Sequence, residues 1–187
     1  MACEFVKTDL PEVVLIKPCV FKDDRGFFLE TFHQNKYAGG GIKGNFVQDN
    51  HSHSKKNTIR GLHYQLLHPQ GKLVYVVSGE IFDVAVDIRR GSPSFGKWTG
   101  VCLSSENKYQ LYIPEGFAHG FRVLSETADV LYKCTELYYP DDDYGILWSD
   151  PLINIHWQVS APILSKKDRE YQTLNNIPES LLPIYRK

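Results

Sequence analysis

The sequence predicts a mainly β protein, with a jelly-roll-type double sheet and a few short helices as its architecture. Three observations carry this. Turn signals recur roughly every ten residues, the rhythm of a sandwich or barrel. The segments between them are short and rich in β-branched and aromatic residues, and the chain holds 11 Tyr, 10 Phe and 3 Trp in 187 residues. Helix signals are weak until Ser165-Lys166-Lys167-Asp168, which resembles a capping box with Asp where Glu or Gln is usual.

The elements follow in order. Val13 to Ile16 is an apolar, β-branched run closed by Pro18, and Phe27 to Phe32 is strand-like after the turn at Asp23-Asp24-Arg25-Gly26. A short helical turn is expected around His33 to Ala38, with Gly39-Gly40-Gly41 as the loop after it. Gln48 to Ser54 is polar enough to read as strand or loop. Lys72 to Val77, Ser78-Gly79 and Glu80 to Ile88 form the clearest hairpin, and Phe82, Val84, Val86 and Ile88 alternate with Asp83, Ala85 and Asp87. Gln110 to Ile113 and Phe121 to Leu124 flank an expected loop from Pro114 to Gly120. Asp129 to Tyr138 reads as another long strand.

Composition bounds the function. Hydrophobic residues at 42% and charged residues at 23% describe a globular chain, and residues 1–187 fit one domain. The net charge is −1 with no basic run, which argues against nucleic acid or a membrane surface as partner. Cys3, Cys19, Cys102 and Cys134 are scattered without Cys-x-x-Cys spacing, so zinc and thioredoxin-like chemistry are disfavoured and free thiols in a reducing compartment are expected. Met1-Ala2-Cys3-Glu4 opens no basic and apolar leader, and no apolar run reaches the ~18 residues of a membrane span. A cytoplasmic location is the expectation.

Functional side chains concentrate in Gln48 to Ser54, Arg60 to Gln65 with Lys72 close behind, and Pro114 to Phe121. At strand spacing, His51 and His53 share one face and could chelate. They lack a third ligand, and Gln65 follows His63 where a chelating strand would carry a second His, so no metal is expected. A histidine is the natural base near neutral pH and works best with a carboxylate behind it. Residue pattern alone leaves His63 open between base and structural histidine, and does not choose its carboxylate among 22 acidic residues.

Arg60-Gly61-Leu62-His63-Tyr64-Gln65, with Gln48-Asp49-Asn50 before it and Phe117-Ala118-His119-Gly120-Phe121 after it, resembles the dTDP-4-dehydrorhamnose 3,5-epimerase family. The resemblance runs on through Phe82 to Arg89, Ser92 to Gly96, Tyr132-Lys133-Cys134-Thr135 and Leu164 to Asp168. It implies a cupin-type jelly roll, a homodimer, neither metal nor organic cofactor, and a dTDP-sugar with a C4 ketone as substrate. By the same resemblance His63 is the base, Asp168 its partner, Tyr132 the acid on the opposite face and Lys72 the cation at the enolate oxygen. Arg25, Glu30, Gln48, Asp49, Asn50 and Arg60 fall at nucleotide-sugar contacts, Arg60 suiting a phosphate. Tyr138 suits stacking on thymine. His119, Asp143 (where Glu is expected) and Lys167 complete the implied binding set. Arg89 and Arg90 read as solvated charges, and the tail Ile177 to Lys187 as disordered or packed on a partner. The competing classes are a C3-only epimerase on a related sugar, a metal-dependent cupin and a non-catalytic sugar-nucleotide binder.

Overall fold

The computed structural model describes residues 3–42 and 44–186; the first two residues of the N-terminal reading and Lys187 of the tail lie outside them. In chain order the strands are β1 Glu4–Lys7, β2 Val14–Lys17, β3 Val20–Asp23, β4 Gly26–Leu29, β5 Gln48–Lys55, β6 Ile59–Gln65 and β7 Lys72–Ser78. They continue as β8 Glu80–Asp87, β9 Trp98–Ser104, β10 Gln110–Ile113, β11 Phe117–Val123, β12 Thr127–Cys134 and β13 Asp143–Gly145. Helix α1 spans Gln34–Gly39 and α2 spans Lys166–Glu170. A six-stranded sheet runs β1-β2-β10-β7-β12-β5, a five-stranded sheet runs β13-β6-β11-β8-β9, and β3-β4 form a separate hairpin. The neighbouring strands are antiparallel throughout. This is the expected mainly β double sheet.

Both sheets bury their facing sides, the five-stranded sheet is also covered on its outer side, and the six-stranded sheet is covered there only beneath α1. Between the sheets lie Val74, Ile81, Leu103, Leu111, Phe121, Val130 and their neighbours. Ile16, Leu73 and Tyr112 face the other way, under Tyr37 of α1. Ile59, Leu62, Val84, Val86 and Ile88 lie on the outer face of the five-stranded sheet, under Ile153, Trp157, Leu174 and Leu182. Each large side chain so buried contributes roughly 1.5 to 3 kcal/mol. The C-terminal tail is therefore neither disordered nor reserved for a partner: it covers its own sheet, and the Leu181 carbonyl accepts the Tyr64 hydroxyl at 3.0 Å.

This second core corrects several expectations. The apolar set of β8 faces outward beneath the tail, while Asp83, Ala85 and Asp87 point between the sheets with no exposed surface. Arg89 is not a solvated charge. It is mostly buried, binds Asp87 at 2.8 Å and also Glu12, and lies over the rings of Phe117 and Tyr185. Arg90 pairs with Glu179 at 2.9 Å. The loop expected from Pro114 to Gly120 is only a turn, since β11 already begins at Phe117. The expected strands to Phe32 and Tyr138 stop at Leu29 and Cys134. Ser165 caps α2, accepting the Asp168 N–H at 3.0 Å.

Candidate active site

At one end of the sandwich, where β5 ends one sheet and β13 the other, the sheets part around a cavity of about 330 Å³. One wall comes from β5, β7 and β12, carrying Gln48, Asn50, Ser52, Lys72 and Tyr132; the other comes from β6, β11 and β13, carrying Arg60, His63, Gln65, His119, Phe121 and Asp143. Strand parity does the sorting on β5. Gln48, Asn50 and Ser52 face the cavity, while His51 and His53 face outward and share the same oxygen of Asp129, at 2.9 and 3.2 Å. Gln48 to Lys55 is thus strand, not loop. Among the described residues no three His, Cys, Asp or Glu side chains are grouped as a metal would need.

Two glycines set the other wall. Gly61 has φ +109°, and a Cβ there would come within 2.6 Å of the Gly120 Cα. The strands can approach this closely, with a register shift between His119 and Phe121, only because both residues lack side chains. His63 and His119 end up directly paired across β6 and β11.

His63 Nε2 donates to Asp168 Oδ1 at 2.6 Å, and the Ser165 hydroxyl donates to Asp168 Oδ2 at 2.8 Å. The Asp168 carboxyl is nearly enclosed, and burial alone would raise its pKa. The hydrogen bonds from His63 and Ser165 outweigh burial and hold it below the ordinary carboxylate value. An ionised Asp168 fixes the His63 tautomer and leaves Nδ1 free toward the cavity. Tyr171 packs edge-on to the imidazole at 5.9 Å. On the opposite wall, burial raises the Tyr132 phenol, so it keeps its proton at neutral pH. Burial lowers the Lys72 ammonium, against the opposing pull of Cys134, Asp143 and Asp83.

The polar rim is ordered by its own bonds. The Tyr138 hydroxyl donates to Asp143 Oδ2 at 2.9 Å, Lys167 Nζ donates to the same oxygen at 2.7 Å, and the Tyr138 N–H donates to Gln48 Oε1 at 2.9 Å. Asp143 is thus within reach of the cavity despite its short side chain, and Lys167 and Asp168 act from behind the lining. Three implied binding residues stand elsewhere. Asp49 points outward to Lys133 at 3.0 Å, Arg25 is exposed on the β3-β4 turn and paired with Asp23, and Glu30 binds Lys36 at 2.8 Å.

Some lining residues were not singled out from the sequence. Ser52 was legible through the period of two shared with Gln48 and Asn50, and Gln65 and Phe121 sat inside motifs whose other members drew the attention. Asp83, which accepts from His119 Nε2 at 2.6 Å, gave the opposite signal: an acidic residue alternating with apolar ones reads as solvent-facing. No helix among the described residues is long and apolar enough to cross a membrane.

Residues 7–176 match the sequence model for dTDP-4-dehydrorhamnose 3,5-epimerase. The chain is 58% identical to the protein of that name from Shigella flexneri, over 87% of this chain and 91% of that one. It is 53% identical to the one from Neisseria gonorrhoeae over 96% of its own length, and there it spans 55% of the relative. A crystal structure of dTDP-6-deoxy-D-glucose-3,5-epimerase from Legionella pneumophila in complex with dTDP-4-keto-L-rhamnose superposes with a TM-score of 0.96 at 50% identity, covering 99% of this chain and all of that one. The chain belongs to the dTDP-4-dehydrorhamnose 3,5-epimerase family.

Proposed function

We propose that this chain, as one epimerase domain, converts dTDP-4-dehydro-6-deoxy-D-glucose to dTDP-4-dehydro-L-rhamnose by inverting C3 and C5, as a step of dTDP-L-rhamnose biosynthesis. One arrangement carries this: a histidine backed by a buried carboxylate on one wall of the cavity, and a protonated phenol and a lysine on the other. Binding alone needs no such opposed pair. Relatives and a neighbouring structure bearing the 3,5-epimerase name support inversion at both carbons.

In this reading His63 Nδ1 removes the proton beside the C4 ketone, and the electron pair moves onto O4. Lys72 stabilises that oxygen, an effect worth ~3 to 4 kcal/mol for one preorganised donor. Tyr132 returns a proton from the opposite face, and the resulting phenolate and imidazolium exchange with solvent before the second carbon is inverted. All steps use side chains of the chain, with neither metal nor organic cofactor. Arg60, His119, Gln48 and Asn50 hold the diphosphate and sugar, and Tyr138 stacks on the thymine. The assignment is a cytoplasmic one, in keeping with four free cysteines.

A homodimer is part of the proposal. The β3-β4 hairpin belongs to neither main sheet and exposes Phe21, Phe27 and Phe28, of which Phe21 and Phe28 are cross-strand neighbours, an apolar surface that an interface would cover. Arg25 sits on its turn, off its own cavity, where a partner's cavity is the site it can serve. Light scattering at micromolar concentration should give twice the chain mass; a monomer overturns this part.

The activity is tested by incubating the protein with dTDP-4-dehydro-6-deoxyglucose in D2O and following C3 and C5 by NMR. Inversion with deuterium at both carbons is expected. Inversion at C3 alone makes it a monoepimerase, and no exchange at either carbon overturns the proposal.

A further inference from the structure

One buried polar atom behind the cavity lining has no part in the steps above. Asp83 of β8 has no exposed surface, its Oδ1 accepts from His119 Nε2 at 2.6 Å, and its Oδ2 has no hydrogen-bond partner among the described residues. A carboxylate taken out of water is costly unless it meets positive charge or donors. Its retention here at half satisfaction calls for a use. Both of its neighbours of interest, His119 and Lys72, line the cavity.

We infer that Asp83 is a positioning residue of the proposed epimerase centre, holding His119 with Nε2–H turned inward and supplying the buried negative charge opposite Lys72. The inference rests on the function proposed above. An ionised carboxylate can only accept, so Nε2 must carry the proton. Nδ1 is then the ring nitrogen left for a ligand: it accepts a sugar hydroxyl when the ring is neutral and donates when it is charged. Lys72 gains differently. Burial lowers it, and a neutral amine would stabilise an enolate poorly, so each nearby negative charge widens the pH range over which the ammonium persists.

Asp83 differs from the other carboxylate near Lys72 in its enclosure. Two carboxylates act on it, Asp83 from β8 and Asp143 from β13, but Asp143 already binds Lys167 and Tyr138. Arg60, His63 and His119 share the cavity and oppose a positive charge when they are themselves charged. Tyr132 and Cys134 on β12 are weak acids that burial keeps protonated. Asp143 weighs more on Lys72, but Asp83 is the fully enclosed one of the two and keeps one oxygen, Oδ2, without a hydrogen-bond partner among the described residues.

Asp83→Asn keeps an acceptor for His119 and removes the charge. Behind metal-bound histidines, loss of the orienting partner costs roughly ten- to a hundredfold, and a loss of that order in rate is expected here. The expected result is that loss in kcat, a raised KM because His119 no longer holds the substrate in place, and an alkaline limb of the kcat profile moved to lower pH, because Lys72 loses its proton more readily. A folded variant with native kcat, or with lower kcat on an unmoved profile, overturns the inference. Should Asp83→Asn fail to fold, 15N NMR of histidine-labelled native protein decides: His119 as the Nε2–H tautomer, or doubly protonated, around neutral pH supports it, and Nδ1–H alone overturns it. Native protein that exchanges no C3 or C5 proton sinks the proposed function, a failure separate from the tautomer result.

Discussion

Two histidine–aspartate contacts in this molecule have the same chemistry and opposite settings. His63 meets Asp168 at 2.6 Å with the carboxylate 3% exposed and its other oxygen held by Ser165. His51 and His53 crowd one oxygen of Asp129 on the outward face of an edge strand, each imidazole more than half exposed. Water screens the second group and leaves its rings free to turn, so the attraction contributes little. In the first, enclosure and a second hydrogen bond fix one tautomer and one orientation. Histidine density in the sequence points at His51-Ser52-His53; enclosure points at His63.

The contrast can be broken at five places. His63→Ala should abolish both epimerisation and the exchange of C3 and C5 hydrogens with D2O, whereas Tyr132→Phe should lose inversion while exchange persists at one carbon or more. Identical loss of exchange in both would leave no base distinguishable from an acid. Asp168→Asn should slow turnover by about 10²- to 10⁴-fold, because the amide supplies no charge for the imidazolium. It should also lower stability at neutral pH. The Asp168 pKa is depressed on folding, so its contribution is full above the ordinary value of 3.8 and is lost as pH falls through the folded value. Melting curves of native and variant protein should therefore converge in acid; a pH-independent gap would assign the loss to packing.

Smaller effects are expected further from that pair. Arg60, whose Nε donates to Ser54 at 3.0 Å, lines the cavity. A charge-assisted contact with phosphate is worth roughly 1.5 to 3 kcal/mol, so Arg60→Ala should weaken dTDP binding about ten- to a hundredfold by calorimetry. Unchanged affinity removes Arg60 from the site. Asp129→Asn should leave turnover and melting at native values; a clear drop in rate would mean that the exposed histidine group acts on the cavity after all.

How much of this could be read beforehand follows the same line. The two strands from Lys72 to Asp87 were legible because they are long and meet at Ser78-Gly79, but the hairpin expected of them does not form: β7 belongs to the six-stranded sheet and β8 to the five-stranded one, so the turn carries the chain from one sheet to the other. Pro114, Gly116 and Gly120 look like one loop in sequence, yet Gly120 lies within a strand because Gly61 must pass close to it. The alternation of Asp83 and Asp87 with apolar residues did not say which face they take, for a related reason. Alternation assumes one wet face, and here a C-terminal cover dries the outer face while the cavity claims the inner one. The choice of Asp168 came from family resemblance, since no local pattern joins residues so far apart. The separation of Arg25, Glu30 and Asp49 from the cavity had no sequence signal, because all three carry the same charges a binding residue would.

The His63–Asp168 contact spans 105 positions of chain, and the segment carrying Asp168 also closes the outer core. During synthesis the base therefore leaves the ribosome long before the residue that orients it. Until the last few dozen residues dock, the nascent chain carries an untuned imidazole above an open apolar sheet. Competence for the proposed chemistry and protection of that sheet from aggregation then arrive in one docking event.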